Sequence, residues 1–167
     1  MKGTEKKRTA LQTTAIVLLV ILLIVSFYYL MLAITIRKTV TGFKQACTAY
    51  DVTRALEYID PVEARVPLLV SAGVLGTYQK ITGDEQMSKK VLTSVFNVFL
   101  GLDLKTEDLG DFVRTLRYSG VFLVPGWKNC GISCNLHFRI NGQDMKKRIK
   151  VRLVNREGEW YIYSIKI

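Results

Sequence analysis

Near the start of the sequence, apolar residues run without a single charge from Ala15 to Ile36. As a helix with a rise of ~1.5 Å per residue, this 22-residue run is ~33 Å long, enough to cross a ~30 Å hydrocarbon layer. Basic residues flank the run on both sides: Lys6, Lys7 and Arg8 before it, and Arg37 and Lys38 after it. The pattern predicts a basic tail over residues 1–14, a transmembrane helix over 15–36 and one folded domain over 37–167.

The apolar run is too long for a typical cleavable signal peptide, whose hydrophobic part spans about 7–15 residues. Its exit, Leu32-Ala33-Ile34-Thr35, also lacks the small-x-small pattern of a cleavage site. These features favour an uncleaved, single-pass signal anchor in the cell membrane. Basic residues are nearly equal in number on the two sides of the run, so their count does not decide the orientation. Long domains cross the membrane largely regardless of charge. We therefore expect a cytoplasmic tail and an extracytoplasmic domain.

The first half of the domain has the spacing of helices. Val40, Phe43, Cys47 and Tyr50 recur every three or four residues, which predicts a helix over Arg37–Ile59. Asp60-Pro61 ends this helix, because a residue before proline disfavours the helical conformation. Further helices are predicted over Glu63–Ile81 and Glu85–Leu104, and a short helical turn over Thr106–Phe112 with Thr106 as its N-cap.

After Val113 the period of the apolar positions changes from 3.6 to 2, which is typical of strands. The predicted strands are Thr115–Val124, Cys130–Ile140, Met145–Val154 and Glu159–Ile167. Asn141-Gly142, between the second and third, is a strong hairpin signal. Helices followed by an antiparallel meander predict an α+β domain.

Two segments carry a resemblance to a known family: FKQACTAYDVTRALEYIDP over Phe43–Pro61 and GEWYIYSIKI over Gly158–Ile167. Together they resemble the cystatin-like, nuclear-transport-factor-2-like (NTF2-like) cone, whose last strand often reads Gly-x-Trp-x-Ile. The resemblance covers residues 37–167 and implies about three helices packed on a bent antiparallel sheet of about four strands. Anchored proteins of this kind include bacterial exported proteins of unknown function and the bitopic assembly subunit of type IV secretion systems. Other relatives are ketosteroid-isomerase-like enzymes.

The whole chain is basic, with 24 Lys and Arg against 14 Asp and Glu, a formal net charge of +10. The tail supplies +3, from four basic residues and one acid, and residues 37–167 supply the remaining +7. A basic domain beside a bilayer attracts anionic lipid, anionic polymer or an acidic protein.

Part of this charge lies in a regular pattern. Arg148, Lys150 and Arg152 alternate with apolar residues, and Arg139 lies across the Asn-Gly hairpin from them. The pattern predicts one basic face of the sheet, which is either a face for binding an anion or partner protein or a solvated outer surface. Aromatic residues do not alternate with these cations as in proteins that bind single-stranded nucleic acid, so we expect no nucleic-acid partner.

The three cysteines, Cys47, Cys130 and Cys134, are an odd number, which argues against a disulfide framework. Cys130 and Cys134 are ~13 Å apart in an extended strand, too far for a direct bridge unless Gly131 makes a turn. The sequence favours buried free thiols and leaves open one bridge between two of the three. With His137, these two cysteines form a C-x3-C-x2-H pattern, but His137 lies on the opposite strand face and a fourth ligand is absent. We predict neither a metal site nor a cofactor.

The sequence contains no G-x-S-x-G, H-E-x-x-H, P-loop or dinucleotide-binding motif. Tyr50, Asp51, Tyr161 and Tyr163 are the nearest candidates for acid–base groups inside a cone.

The sequence favours a non-enzymatic, membrane-anchored interaction domain, either a subunit or an accessory factor of a bacterial envelope assembly. Its expected partners are the bilayer and another membrane or envelope protein, and a homo-oligomer stays open. The alternative is a membrane-tethered small-ligand binder or isomerase that uses the cone interior.

Overall fold

The computed structural model of the protein describes residues 2–78, 83–126 and 128–167. The chain divides into two compact units, Met1–Ile36 and Arg37–Ile167.

The longest element is helix α1, Lys2–Thr48, which contains the predicted membrane segment. From Gln12 onward it is long and apolar enough to cross a membrane, and almost none of its most apolar stretch is buried. Side chains between Ile16 and Met31 expose large apolar surfaces. Such a surface suits contact with lipid better than contact with water.

The prediction of one helix over Arg37–Ile59 is wrong in one respect, because this segment forms two helices. Helix α1 ends at Thr48, and α2 covers Val52–Glu57. Between them Tyr50 has a left-handed backbone, with φ of +55°. Asp51 then caps α2, since its carboxylate accepts a hydrogen bond of 3.0 Å from the Arg54 backbone N–H.

The next predicted helix is also divided. Helix α3 covers Arg65–Ser71 and α4 covers Leu75–Tyr78, with Gly73 at a φ of +66° between them. The predicted end of this segment at Ile81 lies outside the described residues.

The third predicted helix is confirmed, but it ends before the predicted Leu104. Helix α5 covers Glu85–Leu100 and stops at Gly101, whose left-handed φ of +51° forms the C-cap. A 3-10 turn at Thr106–Asp108 leads into α6, Leu109–Thr115. Thr106 is the first residue of that turn and not its N-cap, which is Lys105.

The second half of the domain is one four-stranded antiparallel sheet in the order β1-β2-β3-β4. Its strands are β1 Arg117–Val124, β2 Asn129–Ile140, β3 Gln143–Arg156 and β4 Glu159–Lys166. The α+β class is therefore confirmed, and all four strands lie within about two residues of their predicted bounds. A short parallel bridge joins Ile59, just after α2, to Ile162 at the outer edge of β4.

The core lies between the helices and one face of the sheet. On β2 the alternate residues from Cys130 to Ile140 are buried, as their period predicts. Phe112 of α6 contacts Phe96 of α5 and Phe138 of β2, with ring centroids 5.0 and 5.2 Å apart. These rings fill the space between helices and sheet and leave the opposite sheet face to solvent.

Candidate interaction face

The solvent face of the sheet carries a row of cations along β3: Arg148, Lys150 and Arg152, which we term the basic stripe. All three are exposed, because they alternate with the inward-facing Ile149 and Leu153. Within the described ranges, no carboxylate lies within ion-pair distance of the stripe. The structure thus brings three unpaired positive charges together on one rigid surface.

Arg139, the fourth predicted member, lies on the same face but is paired. It faces Asp144 across the hairpin, with Nε 2.9 Å from Oδ1 and Nη2 3.3 Å from Oδ2. This contact raises the pKa of Arg139 and lowers the pKa of Asp144. Arg139 therefore adds little net charge to the face, and its exposed ion pair adds little stability.

The sequence interpretation missed one cation, Lys166 of β4. Plain alternation places it with the inward-facing Trp160 and Ile162, but the register shifts at Tyr163. A bulge of this kind moves all later residues to the other face. As a result Lys166 pairs with Lys150 and extends the positive surface onto the neighbouring strand.

At one end of the basic stripe the solvent face holds a cleft of about 480 Å³. Val124, Gly131 and Arg152 lie in one row across β1, β2 and β3. Because glycine has no side chain, the middle of this row is a hollow between its two neighbours. The other residues that line the cleft are Glu63, Pro125, Asn129, Cys130, Leu153, Val154, Arg156 and Tyr163.

A half-buried ion pair lies beside this cleft and joins distant parts of the chain. Arg156 donates to both carboxylate oxygens of Asp60, at 2.7 and 2.8 Å, and its Nη2 is 3.5 Å from a Glu63 oxygen. The Asp60 side chain is 0% exposed. The hydrogen bond from Arg156 holds the pKa of Asp60 below its ordinary value of 3.8. The sequence indicated Asp60 only as the end of a helix.

The Asp60 backbone also ties this segment to the sheet edge. Its N–H donates to the Ile162 carbonyl at 2.9 Å, and the Ile162 N–H donates to the Tyr58 carbonyl at 2.8 Å. The segment therefore covers the edge of β4, which would otherwise present unpaired backbone groups.

The three cysteines are buried and unbridged in the structure. Burial raises the pKa of the Cys47 thiol to about 12 and that of Cys130 to about 11, and it also raises the pKa of Cys134. Thiolates are the reactive form, so these sites are poor nucleophiles.

Among the described residues, no three His, Cys, Asp or Glu side chains are grouped as metal ligands. His137 faces away from the core, with Nε2 2.8 Å from Ser119 Oγ.

We expect all three thiols to be free in the purified chain. Thiol titration in denaturant should give three per chain with and without prior reduction, and native protein should react slowly because the thiols are buried. A lower count before reduction would reveal a bridge.

The candidate acid–base groups do not converge on one point. Asp51 is used as the N-cap of α2, and Tyr50 packs at the margin of the core beneath the Lys89 ammonium, 4.6 Å from its ring centroid. Tyr161 donates to Glu159 at 2.7 Å, a contact that raises the pKa of Tyr161. Tyr163 lines the outer cleft and not the interior.

No family model and no curated protein matches the sequence. Among solved structures, the chain is similar to one named Rd1NTF2_05, with 11% identity, 79% of this chain and 95% of that chain covered, and a TM-score of 0.49. It is also similar to an NTF2-like protein of unknown function from Shewanella oneidensis MR-1, with 9% identity, coverage of 80% and 95%, and a TM-score of 0.48.

A protein of unknown function from Mycobacterium tuberculosis is similar at 8% identity, with coverage of 83% and 71% and a TM-score of 0.44. The first two structures carry NTF2 in their names, and each of these likenesses concerns the fold alone. The resemblance to a type IV secretion subunit has no counterpart among these three.

Proposed function

We propose that the chain is a single-pass, membrane-anchored interaction protein whose basic stripe binds an acidic partner in a bacterial envelope assembly. Helix α1 supplies an element long enough for the anchor. The observation that carries the proposal is the row of three exposed cations without a carboxylate partner among the described residues. Charges held on a sheet are preorganised, so they attract and orient a partner at low conformational cost. In this proposal the tail lies in the cytoplasm and the domain lies outside it.

The packed interior supports a non-enzymatic role over the alternative of a ligand in the cone interior. Phe96, Phe112 and Phe138 occupy the space between the helices and the sheet, and each is nearly or fully buried. A small-molecule site needs a concave space with a few convergent polar groups. The described core residues are instead predominantly aliphatic and aromatic.

Crosslinking followed by affinity capture from native membranes tests this role. We expect the full chain to capture a reproducible membrane or envelope protein, and the variant Arg148→Ser/Lys150→Ser/Arg152→Ser to lose it. The matched control is Arg54→Ser/Lys90→Ser/Lys105→Ser, which removes three exposed charges from the helical side of the domain. Recovery of no partner, or equal loss in both variants, would contradict the proposal.

The same variants give a quantitative prediction for binding to anionic surfaces. We expect the full chain in phosphatidylcholine nanodiscs to bind phosphatidylglycerol vesicles in a salt-sensitive manner. Loss of the basic stripe should weaken binding at least tenfold, because a basic residue near such a surface contributes about 1 kcal/mol. Cosedimentation at low and high salt measures the effect. Equal binding by the stripe variant and its control would show that net charge alone is responsible.

A further inference from the structure

We propose that the outer cleft is a binding site for a small amphipathic anion, whose oxyanion head lies on Arg152 and whose apolar part lies over Gly131. This inference goes beyond the interaction role, because it assigns a small-molecule ligand to the cleft at the Arg152 end of the basic stripe. It also differs from a ligand inside the cone, since the cleft opens on the face that points away from the core.

The shape of the cleft follows from the strand register. Val124, Gly131 and Arg152 are direct neighbours across three strands, so an apolar side chain and a guanidinium face each other over a residue without a side chain. The volume of about 480 Å³ lies within the range of about 300–1,000 Å³ typical of ligand sites. One edge of the hollow is therefore cationic and the opposite edge is apolar.

Of the two cations among the described residues that line the cleft, only Arg152 lacks a carboxylate partner. Arg156 is committed to the carboxylates of Asp60 and Glu63, which together exceed its single positive charge, and Glu63 also lines the cleft. Arg152 has no carboxylate partner among the described residues, and its planar guanidinium suits phosphate and carboxylate groups. The ligand is thus an anion, and its head carries one of these two groups.

The apolar side of the cleft favours a ligand with a hydrocarbon part. Val124 is 54% exposed and is followed in the chain by Pro125, whereas Val154 lies on β3, two residues after Arg152. Covering such surface with a hydrocarbon chain is favourable because it removes apolar area from water. A bare inorganic anion gains nothing from this surface, and a neutral alkyl chain gains nothing from Arg152. Both parts are needed for tight binding.

Gly131 provides a specific way to close the cleft. Among the described residues, a Cβ atom built on Gly131 meets only the Val124 Cβ within 4 Å, at 3.8 Å, which is ordinary van der Waals contact. Gly131→Val is therefore compatible with the strand, and valine favours strands more than glycine does. Its methyl groups occupy the floor of the hollow. Ser133→Val is the matched control, because Ser133 lies two residues along the same face of β2, outside the cleft.

Calorimetric titration of the full chain in phosphatidylcholine nanodiscs with hexyl phosphate tests the site, with empty nanodiscs as the blank. We expect saturable binding of one hexyl phosphate per chain, and at least tenfold weaker binding of inorganic phosphate and of hexanol. Gly131→Val and Arg152→Gln should each weaken binding at least tenfold. Ser133→Val and Arg54→Gln should bind like the unmodified chain.

Absence of saturable binding, equal binding of hexanol, or undiminished binding by a folded Gly131→Val variant would overturn the proposal. Circular dichroism establishes the folding of each variant. Repeating the titration in nanodiscs that contain phosphatidylglycerol identifies the source of the anion. A weaker apparent affinity indicates a lipid headgroup, and an unchanged one indicates a soluble ligand. Because Gly131→Val retains the basic stripe, its partner capture reports on the interaction role independently.

Discussion

Replacing Phe112 by alanine is expected to lower the free energy of unfolding by about 4 kcal/mol, the usual scale for removing a large buried ring. Phe112 is 0% exposed and contacts rings from both α5 and β2. Its removal leaves a cavity between rigid elements that cannot collapse to fill it. Urea denaturation of the full chain in mild detergent, followed by near-ultraviolet circular dichroism, measures the change.

Phe122→Ala is the matched control, because Phe122 is 66% exposed on the edge strand β1. The same atoms are removed there without a cavity, so we expect a change within ~0.5 kcal/mol. The comparison separates the packing of the core from the general effect of losing an aromatic residue. Similar losses in both variants would contradict the central position of Phe112.

The strands could be predicted from the sequence because their period of two is a local property. From Cys130 to Ile140 every inward position is apolar or cysteine, and the burial follows that pattern without a break. The basic stripe could be predicted for the same reason, since its residues alternate with Ile149 and Leu153. Register is also local at Asn141-Gly142, where the hairpin fixes the pairing of β2 and β3.

Other features depend on contacts between residues far apart in the chain and leave little signal in the local sequence pattern. Nothing in the local pattern required a left-handed Tyr50, although Asp51 is a common N-cap residue and marks the new helix start. The bulge at Tyr163 is invisible in an alternating sequence, and it decides the face on which Lys166 lies. The cleft could not be predicted from the sequence, because it depends on Gly131 lying between Val124 and Arg152. Only the strand register of the structure shows that arrangement.

The contact between Asp60 and Arg156 is the clearest case, because 96 residues separate its members. Arg156→Ala is expected to lower the free energy of unfolding by about 3 kcal/mol, since it leaves a fully buried carboxylate without its cation. Loss of this pair should also loosen the segment that covers the edge of β4. Arg114→Ala is the control, because the Arg114–Asp111 pair is exposed and should contribute below ~1 kcal/mol.

The pH dependence of stability gives an independent measurement of the same pair. Because the pKa of Asp60 is lower in the folded state than its ordinary value of 3.8, the native protein binds fewer protons than the unfolded chain. The stabilisation is complete above that ordinary value and is lost as the pH falls through the folded pKa. Urea midpoints measured from pH 7 down to pH 3 should therefore fall less steeply for Asp60→Asn/Arg156→Met than for the unmodified chain. Parallel curves would mean that Asp60 is not held ionised by Arg156.

The double variant also shows why Arg156→Ala is costly. If it regains part of the stability lost in Arg156→Ala, the cost of the single change comes from the buried carboxylate left without its cation and not from lost packing.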